Sequence, residues 1–200
     1  MITTRQRIIK RLFDIGVSFL GLSFTWPLIL VGWVAATVST RANGLFMQKR
    51  VGQHGKLFHV YKLRSMRDVA GVTTTVTSDT DMRVTRVGRI LRKLKIDELP
   101  QLVNVLMGQM SLVGPRPDVP GYADLLQGEE RIVLTVRPGI TGPATIAFRR
   151  EEEILAGVDD PETYNTEVIW PEKVRLNCEY VKKYTFFKDL KYLVQTALSI

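Results

Sequence analysis

The chain has 200 residues, 45% of them apolar, which suffices for one compact domain or a domain with an appendage and excludes a disordered chain. Its net charge of +8 is unevenly placed: residues 1–67 hold eleven basic residues against Asp14 alone, while the other 133 hold seventeen basic and nineteen acidic. One cysteine, Cys178, and two histidines, His54 and His59, exclude an intramolecular disulfide and a four-ligand Cys/His zinc site. Walker-type phosphate loops, dinucleotide glycine fingerprints and nucleophile elbows are absent from the sequence. A positive first third either grips a polyanion or lies on an anionic surface.

The first element runs from Ile15 to Val38, 24 residues without a charge. About 20 apolar residues cross a hydrocarbon core, so the segment is long enough to span. Pro27 stands near its middle and predicts a kink or break, because proline removes a backbone donor and clashes with the preceding turn. Basic residues flank both sides, with Arg5, Arg7, Lys10 and Arg11 before and Arg41, Lys49 and Arg50 after. A spanning helix concentrates Lys and Arg on its cytoplasmic side, whereas here both ends carry that signal. Two readings stand: an uncleaved signal anchor with an ordinary proline kink, and a segment that dips in, breaks at Pro27 and returns. No Ala-x-Ala site follows, which disfavours a cleaved signal peptide.

Leu45–Met47 and Leu57–Tyr61 flank a turn at Gln53-His54-Gly55 and predict a β-hairpin. Asp68 to Asp81 is polar, threonine-rich and aperiodic, a loop. Val84, Val87, Ile90, Leu91 and Leu94 mark one face of a helix whose other face is basic. A second helix is expected after Asp97, with Gly108 as its stop. Two proline-bearing turns follow, Val113–Pro117 and Val136–Gly142. Further helices are expected at Tyr122–Val133, Pro171–Tyr184 and Phe186–Leu198, and Glu151–Thr166 reads as an acidic exposed excursion. The apolar stripe of the last helix suits either the core or a membrane contact. The expected fold class is therefore α+β, mostly helical, with a short hairpin.

Asp97-Glu98 lies between a helix bearing six cations and the start of another. The bland account makes Asp97 an N-cap and Glu98 a first-turn acid. The chemical account notes that adjacent carboxylates stay ionised only beside cations or a bound divalent ion, and that this combination suits a diphosphate. Arg116, between Pro115 and Pro117, has a restricted backbone and a guanidinium able to grip phosphate, although a solvated turn arginine is equally consistent. Lys62 and Arg64 alternate with apolar residues on the second strand and are either a solvated face or phosphate ligands.

These pieces, in order, resemble a known family. Lys10–Asp14, the proline-bearing apolar segment, Gln48–Gly52, Tyr61–Met66, Asp97–Leu102, Met110–Pro117 and Val136–Gly142 together are similar to the small bacterial monotopic phosphoglycosyl transferases, or sugar transferases. The resemblance implies a re-entrant, proline-broken membrane helix over residues 1–40 and a cytoplasmic catalytic domain with amphipathic interfacial helices over 41–200. It implies attachment to the cytoplasmic face of the bacterial inner membrane with both termini cytoplasmic. It also implies the first membrane step of glycoconjugate synthesis: a UDP-sugar gives its sugar phosphate to undecaprenyl phosphate and UMP leaves. Asp97 would be the nucleophile, forming an aspartyl-phosphosugar intermediate, with Glu98 as metal ligand or base. Mg²⁺ would be held at Asp97 and Glu98, and Lys62, Arg64, Arg92, Arg116 and Arg137 would bind phosphate or substrate.

The sequence departs from that family at Gly142-Pro143, where many members have Gly-Trp, at Ala147–Arg150, and at Asn177, where many have aspartate. Neither the sugar nor the oligomeric state is legible. The competing function is a membrane-anchored, non-catalytic binder of anionic lipid or nucleic acid. It gives no reason for two carboxylates beside the basic helix or for two rigid proline turns, so no nucleic-acid partner is expected.

Overall fold

The computed structural model describes residues 2–69 and 81–198, so most of the loop expected between Asp68 and Asp81 lies outside the described residues. The chain opens with helix α1, Thr4–Thr40, capped by a reciprocal box in which the Thr3 hydroxyl accepts from Gln6 N and the Gln6 side chain accepts from Thr3 N. By length and composition α1 could cross a membrane. Where the sequence led us to expect a break, α1 carries Pro27 without interruption. Proline costs the ladder one donor, and within the two preceding turns Ser23 Oγ and Thr25 Oγ donate to the carbonyls of Phe19 and Gly21. Arg41 then closes the helix in the left-handed conformation, its N–H donating to Thr37 O.

Strands β1 (Leu45–Val51) and β2 (Leu57–Leu63) form the expected antiparallel hairpin, with Leu45 opposite Leu63 and Val51 opposite Leu57. The turn is a 3₁₀ segment, Gln53–Gly55, with both His54 and Gly55 at positive φ. The face of β2 that carries Phe58 and Val60 is buried in the core. Lys62 continues that face by strand alternation, which removes the solvated-strand account of this lysine.

Helix α2 (Arg86–Lys93) is capped by Thr85, whose hydroxyl accepts from Gly88 N. A 3₁₀ turn, Ile96–Glu98, leads into α3 (Gln101–Leu106), and Gly108 ends it at positive φ as expected. The two proline turns do more than turn: β3 (Ser111–Val113) and β4 (Gly139–Thr141) pair in parallel. Between them the predicted helix at Tyr122–Val133 is instead two 3₁₀ segments, Ala123–Leu125 and Gly128–Thr135. Leu126, in an extended conformation, and Gly128, at positive φ, separate them.

The acidic stretch is more ordered than a bare excursion. Helix α4 (Pro143–Ala147) precedes it, and the stretch itself forms α5 (Glu151–Ala156), α6 (Pro161–Tyr164) and the start of a π-helical turn, Asn165–Ile169, pinned by buried Leu155 and Ile169. Helix α7 (Trp170–Lys182) and helix α8 (Phe186–Leu198) close the chain. The main core joins Phe58, Val60, Val105, Met110, Leu112, Val113, Tyr180 and Val181. The α8 stripe divides: Leu193 and Tyr192 pack on that core, whereas Phe187, Val194 and Leu198 are exposed.

The inner face of α1 docks along the body. Arg11 donates to the carbonyls of Val105 and Leu106, and Lys10 reaches buried Asp189 at 2.5 Å. Gly21 lies against Leu102, Gly32 against Leu63, and Ser39 Oγ meets Thr85 Oγ1 at 3.3 Å. Its other face exposes Phe19, Phe24, Trp26, Val31 and Val38.

Candidate active site

Asp97 and Glu98 sit in the 3₁₀ turn between α2 and α3, entered through Lys95 at φ 55°. The bend presents the carboxylates to different neighbours. Asp97 is only 7% exposed, and its Oδ1 is buried without a hydrogen-bond partner, so it is not the helix cap that the dipeptide alone suggested. Burial, and then the neighbouring Glu98 charge, push its carboxyl up to about 6 against the pull of Lys62, Lys95 and Arg92. A buried carboxylate with an unpartnered oxygen carries a desolvation cost, and functional sites are where such costs are retained.

Glu98 is the opposite case. Its Oε1 accepts from Arg116 Nη2 at 2.5 Å and from Lys62 Nζ at 3.2 Å. Burial alone would raise its pKa, but Arg116 and Lys62 outweigh burial and hold it well below the usual carboxylate range. Burial lowers the Lys62 ammonium, with Glu98 opposing, while Glu98 raises Arg116.

Arg116 is aimed by the locked proline turns. Gly139 N donates to Pro115 O at 2.8 Å and Gly114 N to Thr141 O at 2.9 Å. A Cβ on Gly139 would fall 2.1 Å from Gly114 N, so this approach needs glycine. The second guanidinium nitrogen of Arg116 donates to Ile140 O at 3.3 Å.

Of the other sequence-chosen cations, Arg92 lies at the end of α2, close enough to lower the Asp97 pKa, and pairs with Glu152. Arg64 is turned elsewhere: it donates to Asn43 O, pairs with Asp68 and lies over the Phe46 ring. Arg137 donates to Gly108 O at 2.7 Å and closes the end of α3. Pro27 lies in α1. The sequence reading missed Arg50, which donates to Gln48 Oε1 and Pro117 O and is brought down to about 10 by burial, then by Arg116. It also missed Asp118, raised to about 6 by burial against Lys173, Arg50 and Arg116. The available signal was proximity in sequence: Arg50 sits inside Gln48–Gly52, and Asp118 directly follows Pro117.

Among the described residues no group of three His, Cys, Asp or Glu side chains is placed to hold a metal. The donor set nonetheless fits a hard cation that keeps most of its ligands from elsewhere. Asp97 Oδ1 is unpartnered, and both ion-pair bonds of Glu98 fall on Oε1, leaving Oε2. Mg²⁺ takes one or two carboxylates and completes its shell with water and phosphate oxygens.

Residues 5–200 match the family model described as bacterial sugar transferase. The chain is 37% identical over 193 residues to the uncharacterized sugar transferase EpsL of Bacillus subtilis, covering 96% of this chain and 87% of that protein. It is 40% identical to the undecaprenyl-phosphate glucose phosphotransferase of Komagataeibacter xylinus, over 94% of this chain but 35% of that longer protein. It is 36% identical to the UDP-glucose:undecaprenyl-phosphate glucose-1-phosphate transferase of Klebsiella pneumoniae, over 94% of this chain and 39% of that protein. The chain thus spans well under half the length of those two longer relatives, and with the family model covering nearly all of it, the chain belongs to the bacterial sugar transferase family.

Proposed function

We propose that the protein is a membrane-bound phosphoglycosyl transferase that moves a sugar phosphate from a UDP-sugar to undecaprenyl phosphate and releases UMP. Two relatives whose names state this kind of phosphotransfer support the reading. The observation that carries it is the contrast inside one dipeptide: a buried Asp97 with an unpartnered oxygen beside a Glu98 fastened to two cations.

In the first step an Asp97 oxygen bonds to the sugar-bearing phosphorus of the donor as the bond from that phosphorus to UMP breaks, and UMP leaves with the electron pair. The product is a phosphosugar ester of Asp97. With a pKa of about 6, Asp97 is mostly ionised at neutral pH yet poorly solvated, which suits a nucleophile. In the second step an oxygen of undecaprenyl phosphate bonds to the same phosphorus, the bond to Asp97 breaks, and the carboxylate returns. Arg116 and Lys62, which meet Glu98, and Arg92, whose charge acts on Asp97, would stabilise phosphate charge in both steps. Asp97 and Glu98 are the residues that would hold Mg²⁺, which would supply neutralisation of phosphate charge. Glu98 favours this ligand role over that of a base, because a carboxylate held well below its usual range accepts protons poorly at neutral pH.

The docking of α1 supports a monotopic placement on the cytoplasmic face of the inner membrane, with both termini on that side. Between Gly21 and Gly32, the longest interval between the body contacts named above for the helix, α1 rises only ~16 Å, against the ~30 Å of hydrocarbon that a crossing helix must leave free of soluble protein. Basic flanks at both ends suit one anionic leaflet. The experiment is UMP release from UDP-sugars by detergent-purified protein with undecaprenyl phosphate and Mg²⁺. Asp97→Asn should abolish release and the trapping of a covalent phosphosugar; undiminished turnover removes Asp97 as the nucleophile.

A further inference from the structure

One cation of the site is already paired with the acidic segment. Arg92, whose charge acts on Asp97, pairs with Glu152 in the first turn of α5. The adjacent Glu151 pairs with Lys173 at 2.7 Å, and its charge reaches both Arg116 and Asp118. Leu155, 2% exposed, pins the far end of the same short helix. One apolar anchor and two ion pairs thus hold a carboxylate-bearing turn across the Arg92 side of the site.

Glu152 keeps 41% of its side chain exposed and Arg92 23%. An ion pair that open is worth little and exchanges readily with a competing anion. A diphosphate offers Arg92 more charge than one carboxylate and oxygens for a bidentate grip. From this geometry we infer that Glu152 is a displaceable counter-ion: it holds Arg92 in the free enzyme, yields it to the donor's diphosphate, and so sets how tightly that substrate binds. The inference rests on the phosphoglycosyl transferase reading for the identity of the ligand, but the competition itself concerns any diphosphate. Glu153 is the internal control. It is 60% exposed, its ion pair is with Arg150 at 3.9 Å, and it carries the same charge one residue away.

The test titrates inorganic pyrophosphate calorimetrically into the detergent-purified full chain, and measures KM for a UDP-sugar in the UMP-release assay. Glu152→Gln should tighten pyrophosphate binding and lower KM by roughly two- to fivefold, the range an exposed pair can contribute. Glu153→Gln should change either value far less. In an Arg92→Gln background, Glu152→Gln should give no gain, because the contested cation is gone. Unchanged or weaker pyrophosphate binding in Glu152→Gln overturns the inference, since a carboxylate that merely positions Arg92 would help substrate rather than compete with it. An equal gain from Glu153→Gln overturns it too, by reducing the effect to a general field. If no UDP-sugar releases UMP from the wild type, the transferase reading fails, and the pyrophosphate pattern still decides the competition.

Discussion

Replacing Asp97 by asparagine should stabilise the protein while destroying its activity. A folded carboxyl raised from 3.8 to about 6 means that, between those values, the native state holds a proton the unfolded chain has released. Stability therefore falls as pH rises through that window, and above it the native state carries the full cost of a buried charge. The rise corresponds to about 3 kcal/mol. Asp97 is 7% exposed, so solvent screening takes little from that figure. It is an upper bound, because the asparagine amide must also be accommodated. For a chain of this size the gain is a rise of roughly 6–12 °C in melting temperature at pH 7.5, shrinking toward zero below pH 4. Thermal unfolding of both proteins in the same detergent, run from pH 4 to pH 8, measures it. A variant that melts at or below wild type at pH 7.5, or whose advantage does not shrink on acidification, refutes the claim that Asp97 is held ionised at a cost. Such a cost is what a stored nucleophile would impose.

Three further outcomes follow from particular contacts. Arg116→Ala removes the 2.5 Å partner of Glu98, so kcat/KM for a UDP-sugar should fall roughly 10²–10³-fold. The loss should be larger at pH 6 than at pH 8, because the Glu98 pKa moves upward when its arginine is gone. Lys10→Met strands Asp189, 1% exposed, leaving it, among the described residues, the Tyr180 and Tyr184 hydroxyls at 2.7 and 3.3 Å. It should cost about 3–5 kcal/mol and expose α8 to limited proteolysis, whereas Asp189→Asn, which removes the charge, should cost less. Gly88→Ala puts a Cβ 1.9 Å from the Ser65 carbonyl oxygen and should destabilise by about 2 kcal/mol or more; Gly16→Ala, with nothing within 4 Å, should be neutral or slightly stabilising by melting temperature.

The carboxylate pair could be found in the sequence, but its division of labour could not. Adjacent residues share composition and local charge, so nothing in Asp97-Glu98 says which one is fastened. That follows from Lys62, 36 residues upstream, and Arg116, 18 residues downstream, both meeting Glu98 Oε1. Arg64 and Lys62 looked alike as alternating strand residues. The hairpin register carries Lys62 along the buried face of Phe58 and Val60, while Arg64 lies beyond the strand end, on Asn43 and Asp68. Glu151 and Glu152 read as solvated acid, and only the folding of residues 143–169 back onto the body sets them against Lys173 and Arg92.

What the sequence determined by itself is local and periodic. The uncharged run with basic flanks became α1, the alternation around Gln53-His54-Gly55 became the hairpin, and the last stripe became α8 over Phe186–Leu198. Such patterns are legible because backbone geometry repeats every two or 3.6 residues and selects side chains accordingly. Tertiary structure alone decided the parallel pairing of the two proline turns, the docking of α1 along the body, and the partners of each site charge. These join residues tens of positions apart, and a local pattern cannot say which of 28 basic side chains will meet which of 20 acidic ones. The opening charge asymmetry shows both halves: composition placed the cations early in the chain, and folding chose Lys62 and Arg116 to hold Glu98 while Asp97 stayed unpaired.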